Sequence, residues 1–289
     1  MPLVVTIDVE DWPQSTLSPD LPLSERAEYQ VEHLLDVLAE EKARVTCFVL
    51  GKFLEKFPRT VSRIVAEGHE IASHGHGHVD VFKQSPAEFR EDVRRAKKQL
   101  EDWTGRKVVG YRAPAFSIVR ESLWALEILE EEGFLYDSSI NPAVSVRYGV
   151  SNWPRQPVRV TFPSGRSLLE LPMATAQAFG RAWPVAGGGY HRLLPWTAIR
   201  LALSRALNKG EVFVSYCHPY EFDPEEFHHL TYALPLKTRL HQGLGRGSFE
   251  DKFRRMLGCF ETVSAESLIH RTVWPAYIPP AGYKEGSKV

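Results

Sequence analysis

Three histidines within five residues are the clearest chemical signal in the sequence. The segment SHGHGH places His74 and His78 four residues apart, with glycines between them. On one helical turn or on a glycine-hinged loop, this spacing brings two imidazoles onto one cation, and such nitrogens are common ligands of catalytic zinc. His76 is expected to point away from the other two, into the wall of the loop. The pattern favours a divalent metal site over a merely hydrogen-bonded polar loop.

An acidic segment near the N-terminus can supply the third metal ligand. The segment DVED follows an apolar run, and Asp8 and Glu10 alternate onto the same face of an expected strand. Asp11 begins the following loop. A carboxylate beside a bound divalent ion stays ionised, so it can also accept a proton from water on that ion. The alternative interpretation of DVED alone is a solvated acidic turn.

Arg112 and His218 are further candidates for the same site. Arg112 lies in YRAPAF, where Pro114 keeps Ala113 out of the helical region and the loop extended. An arginine there can hold a carboxylate through a bidentate pair. His218 lies in SYCHPYE, between an apolar strand and a proline, and an ordinary imidazole pKa of about 6.5 suits a general acid. A surface arginine and a capping or core histidine are the alternatives.

The candidates lie at the ends of predicted strands. Apolar patterns predict strands at residues 3–7, 45–50, 69–73, 107–111, 134–136, 158–162, 167–171 and 212–217, with helices between most of them. The strand ends carry Asp8, His74, Arg112, Asp137 and His218. Alternating strands and helices imply parallel βαβ units, in which working residues collect at the carboxyl ends of the strands. The fold class is therefore α/β, and seven or eight units favour a barrel over an open doubly wound sheet.

Length, composition and charge restrict the class of protein and the kinds of partner that it could bind. The chain has 289 residues, of which 43% are hydrophobic and 25% charged, as in ordinary globular proteins. A net charge of −1 predicts no bulk attraction to nucleic acid or to an anionic membrane. Three cysteines do not form a disulfide framework. The N-terminus lacks a basic signal-peptide region, and no apolar run is long enough to span a membrane, so we expect a cytoplasmic location.

Five motifs, in order over residues 3–263, resemble those of the polysaccharide deacetylases, the NodB-homology group of carbohydrate esterases (carbohydrate esterase family four). They are TIDVED, SHGHGH, YRAPAF, YDSS and SYCHP. The segment GLGR at residues 243–246 resembles the subgroup that has an extra C-terminal segment and is linked to exopolysaccharide operons. The resemblance implies a single-domain, distorted (β/α)7-type barrel over residues 1–265. Its subgroup segment would lie at about 225–265, and a tail would follow at 266–289.

The resemblance also implies roles for individual residues. These are Asp8 as catalytic base, Arg112 as the residue that orients it, His218 as catalytic acid, His74 and His78 as metal ligands, and the backbone N–H of Ala115 as an oxyanion donor. Related subgroups place the metal-binding acid two positions after the base, which selects Glu10, with Asp11 as the substitute. Asp137 lacks the usual neighbouring tryptophan and either supports His218 or shapes its loop. Tyr216 or Leu171 is expected beside the acetyl methyl group.

The implied reaction is removal of an N-acetyl group from a sugar or polysaccharide. The implied cofactor is a divalent ion, usually zinc, with cobalt or nickel also used, and water on that ion would attack the amide carbonyl. Five aromatic residues in predicted loops are candidates to stack on sugar rings: Trp12, Trp153, Trp183, Tyr190 and Tyr220. The glycines at 187–189 are interpreted as a flexible loop at the cleft.

Two other functions remain open at this stage. One is hydrolysis of another C–N bond, in a cyclic imide, a ureide or an acetylated polyamine. The other is non-catalytic carbohydrate binding on the same barrel, because a fold alone does not specify a substrate. The expected partner is a carbohydrate, not nucleic acid, and the sequence leaves the oligomeric state open.

Overall fold

The computed structural model describes residues 2–143, 149–178, 181–230, 232–271 and 273–279. The strands are β1 (Leu3–Val9), β2 (Thr46–Val49), β3 (Glu70–Ser73), β4 (Gly110–Tyr111), β5 (Tyr136–Asp137), β6 (Val158–Thr161), β7 (Ser167–Glu170), β8 (Thr175–Ala178), β9 (Arg181–Pro184), β10 (Phe213–Cys217), β11 (Thr262–Val263) and β12 (Ala276–Tyr277). The helices are α1 (Trp12–Thr16), α2 (Glu25–Glu40), α3 (Gly51–Lys56), α4 (Pro58–Ala66), α5 (Pro86–Thr104), α6 (Trp124–Glu131), α7 (Gly188–Leu193), α8 (Trp196–Asn208), α9 (Leu236–Gly243), α10 (Phe249–Cys259) and α11 (Ala265–Ile269).

Parallel strands form the centre of the molecule. In the described residues their order is β10, β1, β2, β3, β4, β5 and β7, and each pairs in parallel with the next. The antiparallel β6 follows β7, and β12 pairs with β6. Just beyond β7, the Ala174 N–H donates to the Val214 carbonyl in β10 at 3.2 Å and links the two ends of the parallel run. The predicted distorted (β/α)7-type barrel in a single α/β domain is confirmed.

The alternation of side chains along β1 directs the acidic residues toward the site. Val4 packs inside the barrel with Phe48, whereas Val5 and the other odd-numbered residues of the strand join the layer of helix side chains outside. Because successive strand residues face opposite sides, Asp8 continues the inward set. Glu10 follows two positions later, and both acids border one cavity. The strand period thus places two carboxylates on the same side of the sheet.

Helix α5 begins and ends at the capping residues that its sequence predicts. Ser85 accepts the Glu88 N–H through Oγ at 3.3 Å, and Glu88 Oε2 accepts the Ser85 N–H at 2.7 Å. This reciprocal capping box satisfies amides that the first turn would leave unpaired. The helix ends at Gly105, whose φ of 66° is left-handed and suits glycine.

Several elements differ from the sequence prediction. The glycines at 187–189, predicted as a flexible loop, instead lead into α7, where Gly188 packs tightly against Glu221. The strand predicted at 107–111 pairs only at Gly110–Tyr111. The β8–β9 hairpin and α9 carry weak period signals and were not predicted. Their positions depend on contacts with distant parts of the chain.

The start of the predicted tail makes hydrogen bonds to the barrel. Helix α11 crosses the predicted boundary at residue 265, and its first amides bind the barrel: Ala265 N–H donates to Thr46 Oγ1 at 2.8 Å, and Glu266 N–H donates to Glu70 Oε2 at 2.9 Å. Strand β12 then joins the sheet. Residues just after 265 therefore contact the barrel, and residues 280–289 of the predicted tail lie outside the described part. None of the helices in the described residues is both long and apolar enough to cross a bilayer.

Candidate active site

The loop after β3 presents two imidazoles to the carboxyl end of the barrel. His74 Nδ1 lies 2.8 Å from the carbonyl oxygen of Arg112, and donation to that oxygen leaves Nε2 free to bind a metal ion. His78 adopts a left-handed φ of 60°. The loop is tied to α5 because the Asp92 carboxylate accepts the His76 N–H at 2.9 Å. His76 itself points away, toward Glu55, as expected.

Glu10, His74 and His78 form a compact group of potential ligands. Their side-chain donor atoms all lie within 4.8 Å of one another, and all three residues are buried. Glu10 Oε2 lies 2.7 Å from His78 Nε2 and 3.3 Å from His74 Nε2. Burial raises the pKa of Glu10, but the imidazoles of His78 and His218 outweigh burial and hold that pKa well below its usual range. Two imidazole nitrogens and one carboxylate fit a divalent ion such as zinc.

Asp11, the substitute third ligand, lies outside this group. Its carboxylate accepts the backbone N–H of Ser24 at 2.5 Å and the Ser24 hydroxyl at 3.1 Å. These bonds engage both carboxylate oxygens at the start of α2. The structure therefore favours Glu10 over Asp11, because the strand turns Glu10 inward and the loop turns Asp11 away.

A fully buried guanidinium holds Asp8. Arg112 Nη1 donates to Asp8 Oδ1 and to Thr6 Oγ1, each at 2.7 Å. Its Nε and Nη2 donate to the backbone carbonyl and the hydroxyl of Ser138, each at 3.0 Å. The guanidinium carbon also lies 4.1 Å from the ring centre of Phe48. Arg112 therefore holds one oxygen of Asp8 rather than forming the predicted bidentate pair, because Ser138 takes its other donors.

His218, which directly follows β10, faces both acids at the carboxyl end of β1. Its Nε2 lies 3.9 Å from Asp8 Oδ2 and 3.5 Å from Glu10 Oε1. The ring stacks on Tyr220 with 4.7 Å between centres. Burial opposes a charged ring, but Glu10, Glu221 and Asp8 outweigh burial and raise the pKa of His218 to about 9. A protonated imidazole beside a carboxylate can give a proton while the carboxylate takes one.

Asp137, the last residue of β5, bonds to the loop that positions Arg112 rather than to His218. Its Oδ1 accepts the Ser139 hydroxyl at 2.6 Å, and its Oδ2 accepts the Ser139 N–H at 3.1 Å. Ser139 Oγ in turn accepts the Ala113 N–H at 2.8 Å. Burial raises the pKa of Asp137. Of the two roles left open for this residue, the contacts favour shaping the loop.

A cavity of about 240 Å³ opens over these side chains. It is lined by Asp8, Glu10, Ser15, Thr16, His78, Ala115, Phe116, Gly189, Arg192, Tyr216, His218, Tyr220, Glu221, His241 and Gln242. Ala115 borders it with a left-handed φ of 51°, and its role as an oxyanion donor remains a prediction. Tyr216 lines the cavity, whereas Leu171 is buried in the barrel interior.

Only one of the predicted aromatic platforms borders the cavity. Tyr220 lines it, and its hydroxyl donates to Glu10 Oε1 at 3.3 Å. Trp12 is fully buried against Phe227, so neither of its faces is open to a sugar. The other candidates do not border the cavity either: Trp153 packs on Tyr277, Trp183 lies half-exposed on β9, and Tyr190 lies in α7. Burial therefore argues against Trp12 and Trp153 as stacking surfaces, whereas contact of Trp183 and Tyr190 with a sugar remains a prediction.

The sequence does not predict several cavity residues. Arg192 comes from α7, and His241 and Gln242 come from α9, two helices without a clear sequence pattern. Glu221 carries a usable signal, because it lies three residues after His218 and its carboxylate accepts the His218 backbone N–H. Residues at this spacing commonly bond at the first turn of a helix.

Comparison with known proteins gives two adjoining matches. The family model described as polysaccharide deacetylase matches residues 20–132, and a domain of unknown function, DUF3473, matches residues 138–270. A peptidoglycan deacetylase-like protein of Gibberella zeae is 36% identical over 98 residues, which cover 34% of this chain and 28% of that protein. A peptidoglycan-N-acetylglucosamine deacetylase of Bacillus cereus is 34% identical over 95 residues, which cover 32% of this chain and 34% of the relative. The chain thus spans about a third of these curated relatives.

A solved structure matches nearly the whole chain in fold. It is a candidate polysaccharide deacetylase from Mycobacterium smegmatis, with a TM-score of 0.63, 23% identity, and coverage of 96% of this chain and 93% of that one. At this identity the likeness concerns the fold. Residues 20–132 thus resemble the polysaccharide deacetylases, and the DUF3473 match at residues 138–270 contains the predicted additional C-terminal segment.

Proposed function

We propose that this protein is a metal-dependent hydrolase that removes N-acetyl groups from an N-acetylated sugar or polysaccharide. The observation that carries the proposal is one cavity bordered by Asp8, Glu10, His78 and His218. A proton acceptor, metal-binding groups and a proton donor thus meet at one space. The name of the Bacillus cereus relative, a peptidoglycan-N-acetylglucosamine deacetylase, supports an acetylated amino sugar as substrate.

Glu10, His74 and His78 would hold the metal ion. When bound, a divalent ion would polarise the amide carbonyl and supply a nucleophile at neutral pH. Zinc suits this set of nitrogen and carboxylate donors, and cobalt or nickel are alternatives. The fixed tautomer of His74 supports the assignment, because its Nδ1 is engaged with the Arg112 carbonyl.

Asp8 would act as the general base. Arg112 engages Oδ1, so Oδ2 remains the oxygen that faces His218 and can accept a proton from the attacking water. The loop at Ser138 holds Arg112 in place and so fixes the direction of Asp8.

His218 would act as the general acid. Its Nε2 faces the same space as Asp8 Oδ2, so it can protonate the amine as the C–N bond breaks. Proton transfer of this kind contributes about 10²–10⁴-fold to a rate. The backbone N–H of Ala115, at the cavity wall, would stabilise the oxyanion of the tetrahedral intermediate.

The test measures acetate and free amine released from N-acetylglucosamine oligomers, with small acetamides and a cyclic ureide as comparison substrates. We expect release from the sugar oligomers, its loss after chelation and its return with zinc or cobalt. Preference for the ureide or the small acetamides would identify a different C–N hydrolase. Oligomer binding in the zinc-loaded protein without any product would contradict catalysis and indicate a binding protein.

A further inference from the structure

A second carboxylate lies behind the His218 ring, on the side away from Asp8. Glu221 Oε2 accepts the His218 backbone N–H at 3.1 Å and lies 3.6 Å from Nδ1 of the ring. His218 Nδ1 is buried and has no hydrogen-bond partner within 3.5 Å among the described residues. Glu221 is therefore placed to accept a hydrogen bond from the Nδ1–H group after a small rotation of either side chain.

The position of Glu221 is fixed by two residues of α7. Arg192 Nε donates to Glu221 Oε1 at 3.2 Å, and Arg192 Nη1 donates to the carbonyls of Gln242 at 2.6 Å and Leu244 at 3.2 Å. Glu221 is 2% exposed and Arg192 is 6% exposed. A Cβ atom added to Gly188 would lie 1.5 Å from Glu221 Oε2, so only glycine leaves room for the carboxylate.

We propose that Glu221, held by Arg192 and given room by Gly188, positions the His218 ring so that Nε2 faces the reacting centre. This inference rests on the proposed function for its catalytic consequence. An acceptor on Nδ1 fixes the orientation of an imidazole and leaves the other nitrogen for chemistry. Asp137 does not reach the ring, and Glu221 provides the carboxylate in its place.

The arrangement gives the C-terminal half of the chain a direct role in the site. Gly188, Arg192, His218 and Glu221 all lie within the DUF3473 match at residues 138–270. An extended hydrogen-bonded chain from α9 through Arg192 to Glu221 thus ends at the proton donor. We infer that this domain completes the active site rather than only covering the barrel.

The main test is the isosteric substitution Glu221→Gln. The amide has one acceptor oxygen in place of two, so it cannot serve both Arg192 and His218, and the carboxylate that faces Nδ1 is lost. We expect kcat to fall by about 10²-fold, with KM nearly unchanged, because acid–base contributions of this size depend on the position of the proton donor. Gly188→Ala should displace the carboxylate and reproduce the kcat loss while leaving Glu221 itself intact.

An NMR readout separates positioning from activity. In metal-free protein labelled with ¹⁵N-histidine, we expect a solvent-protected Nδ1 proton on His218, assigned by its absence in His218→Ala. It should be lost in Glu221→Gln and in Gly188→Ala. This signal stays informative even where the wild-type protein has no deacetylase activity, which would defeat the proposed function alone.

Glu226→Gln is the matched control, since Glu226 is also buried and paired with an arginine, Arg246, but makes no contact with His218. We expect its kcat and the His218 signal to match the wild type. Wild-type kcat and a retained Nδ1 signal in folded Glu221→Gln would overturn the proposal. A large rise in KM with unchanged kcat would also overturn it, because that result would make Glu221 a substrate contact.

Discussion

Asp8 and Glu10 are two residues apart and on the same side of β1, yet their surroundings suit them to different tasks. Arg112 holds one oxygen of Asp8 inside the barrel. Glu10 meets two imidazoles whose other contacts fix their direction. These surroundings support the proposed roles, in which Asp8 would exchange a proton and Glu10 would share a cation with two nitrogens.

The role of Asp8 leads to the first prediction. In Asp8→Asn, the amide oxygen can still accept from Arg112, so the fold should persist, but the side chain can no longer take up a proton. We expect kcat to fall by at least about 10²-fold. Steady-state kinetics and circular dichroism on the zinc-loaded variant provide the measurement. Near-wild-type turnover in a folded variant would rule out Asp8 as the base.

A second residue-scale prediction separates Glu10 from Asp11. Glu10→Gln should lose bound zinc, because an amide is a much weaker ligand than the carboxylate between the two imidazoles. Asp11→Asn should bind zinc like the wild type, since its carboxylate bonds to Ser24. Elemental analysis after dialysis against a weak chelator measures the difference. The reverse result would assign the third ligand to Asp11 instead of Glu10.

For single residues, the sequence predicts a role well only where the pattern that reveals it involves neighbouring positions. Asp8, Glu10 and the histidines of SHGHGH were recognisable because strand alternation and short spacing are local properties. Trp12 was misplaced as a substrate contact because its burial depends on Phe227, more than 200 positions further along the chain. No local pattern reports such a contact.

At the scale of elements, helix α5 supports the loop that carries the proposed metal ligands His74 and His78. The Asp92 carboxylate accepts the His76 N–H, and Gly75 approaches it so closely that an added Cβ would lie 2.7 Å from Oδ2. This contact fixes the backbone between the two histidine ligands. Helix α5 was predicted well because its capping box and terminal glycine are strong local signals, but the sequence did not reveal that it also anchors the loop.

The third prediction follows from this support. Asp92→Ala should weaken zinc binding by about 10–100-fold, the usual effect of removing a group that holds a metal ligand in place. Competition with a fluorescent chelator measures the affinity. Asp102→Ala, at an exposed position on the last turns of the same helix where the carboxylate pairs with Lys98, is the control and should bind like the wild type. Equal affinities in both variants would show that the loop holds its shape without α5.

Elements beyond the regular alternation were harder to predict. The order of the central strands follows from their apolar runs, whereas α7 and α9 are short, carry few apolar positions at a helical period and depend on long-range contacts. Arg192 in α7, for example, is held by carbonyls at the end of α9. The cavity wall that these helices form was therefore absent from the sequence-based prediction.

At the scale of the molecule, the candidate site draws on three stretches of the chain. Asp8 and Glu10 precede the deacetylase match, His74, His78 and Arg112 lie within it, and His218 lies within the DUF3473 match. The parallel strand order brings all of them to one edge, because β1 lies between β10 and β2. The site is consequently a property of the closed sheet rather than of either matched segment.

The opposite end of the barrel carries a buried acid that links the C-terminal helix to the sheet. Glu70 Oε2 accepts from Thr46 and from the first turn of α11, and Oε1 accepts from Tyr136. Burial outweighs these hydrogen bonds and raises the pKa of Glu70 to about 7. Below the pKa of an unfolded glutamate, about 4.3, both states are protonated and the contribution of Glu70 to stability is fully present. As the pH rises from there to about 7, the unfolded chain releases its proton first, so this contribution is lost.

The fourth prediction concerns this loss. A shift of this size corresponds to a decrease in the free energy of unfolding of order 3 kcal/mol across that range. Glu70→Gln mimics the protonated acid, so it should match the wild type near pH 4.5, exceed its stability at pH 8 and show a flatter dependence between. Urea unfolding at several pH values measures this. Glu226, whose pKa burial also raises to about 7, should contribute a separate decrease that Glu226→Gln removes. An unchanged slope in Glu70→Gln would mean that the acid is ionised in the folded barrel, with α11 bound to a buried charge.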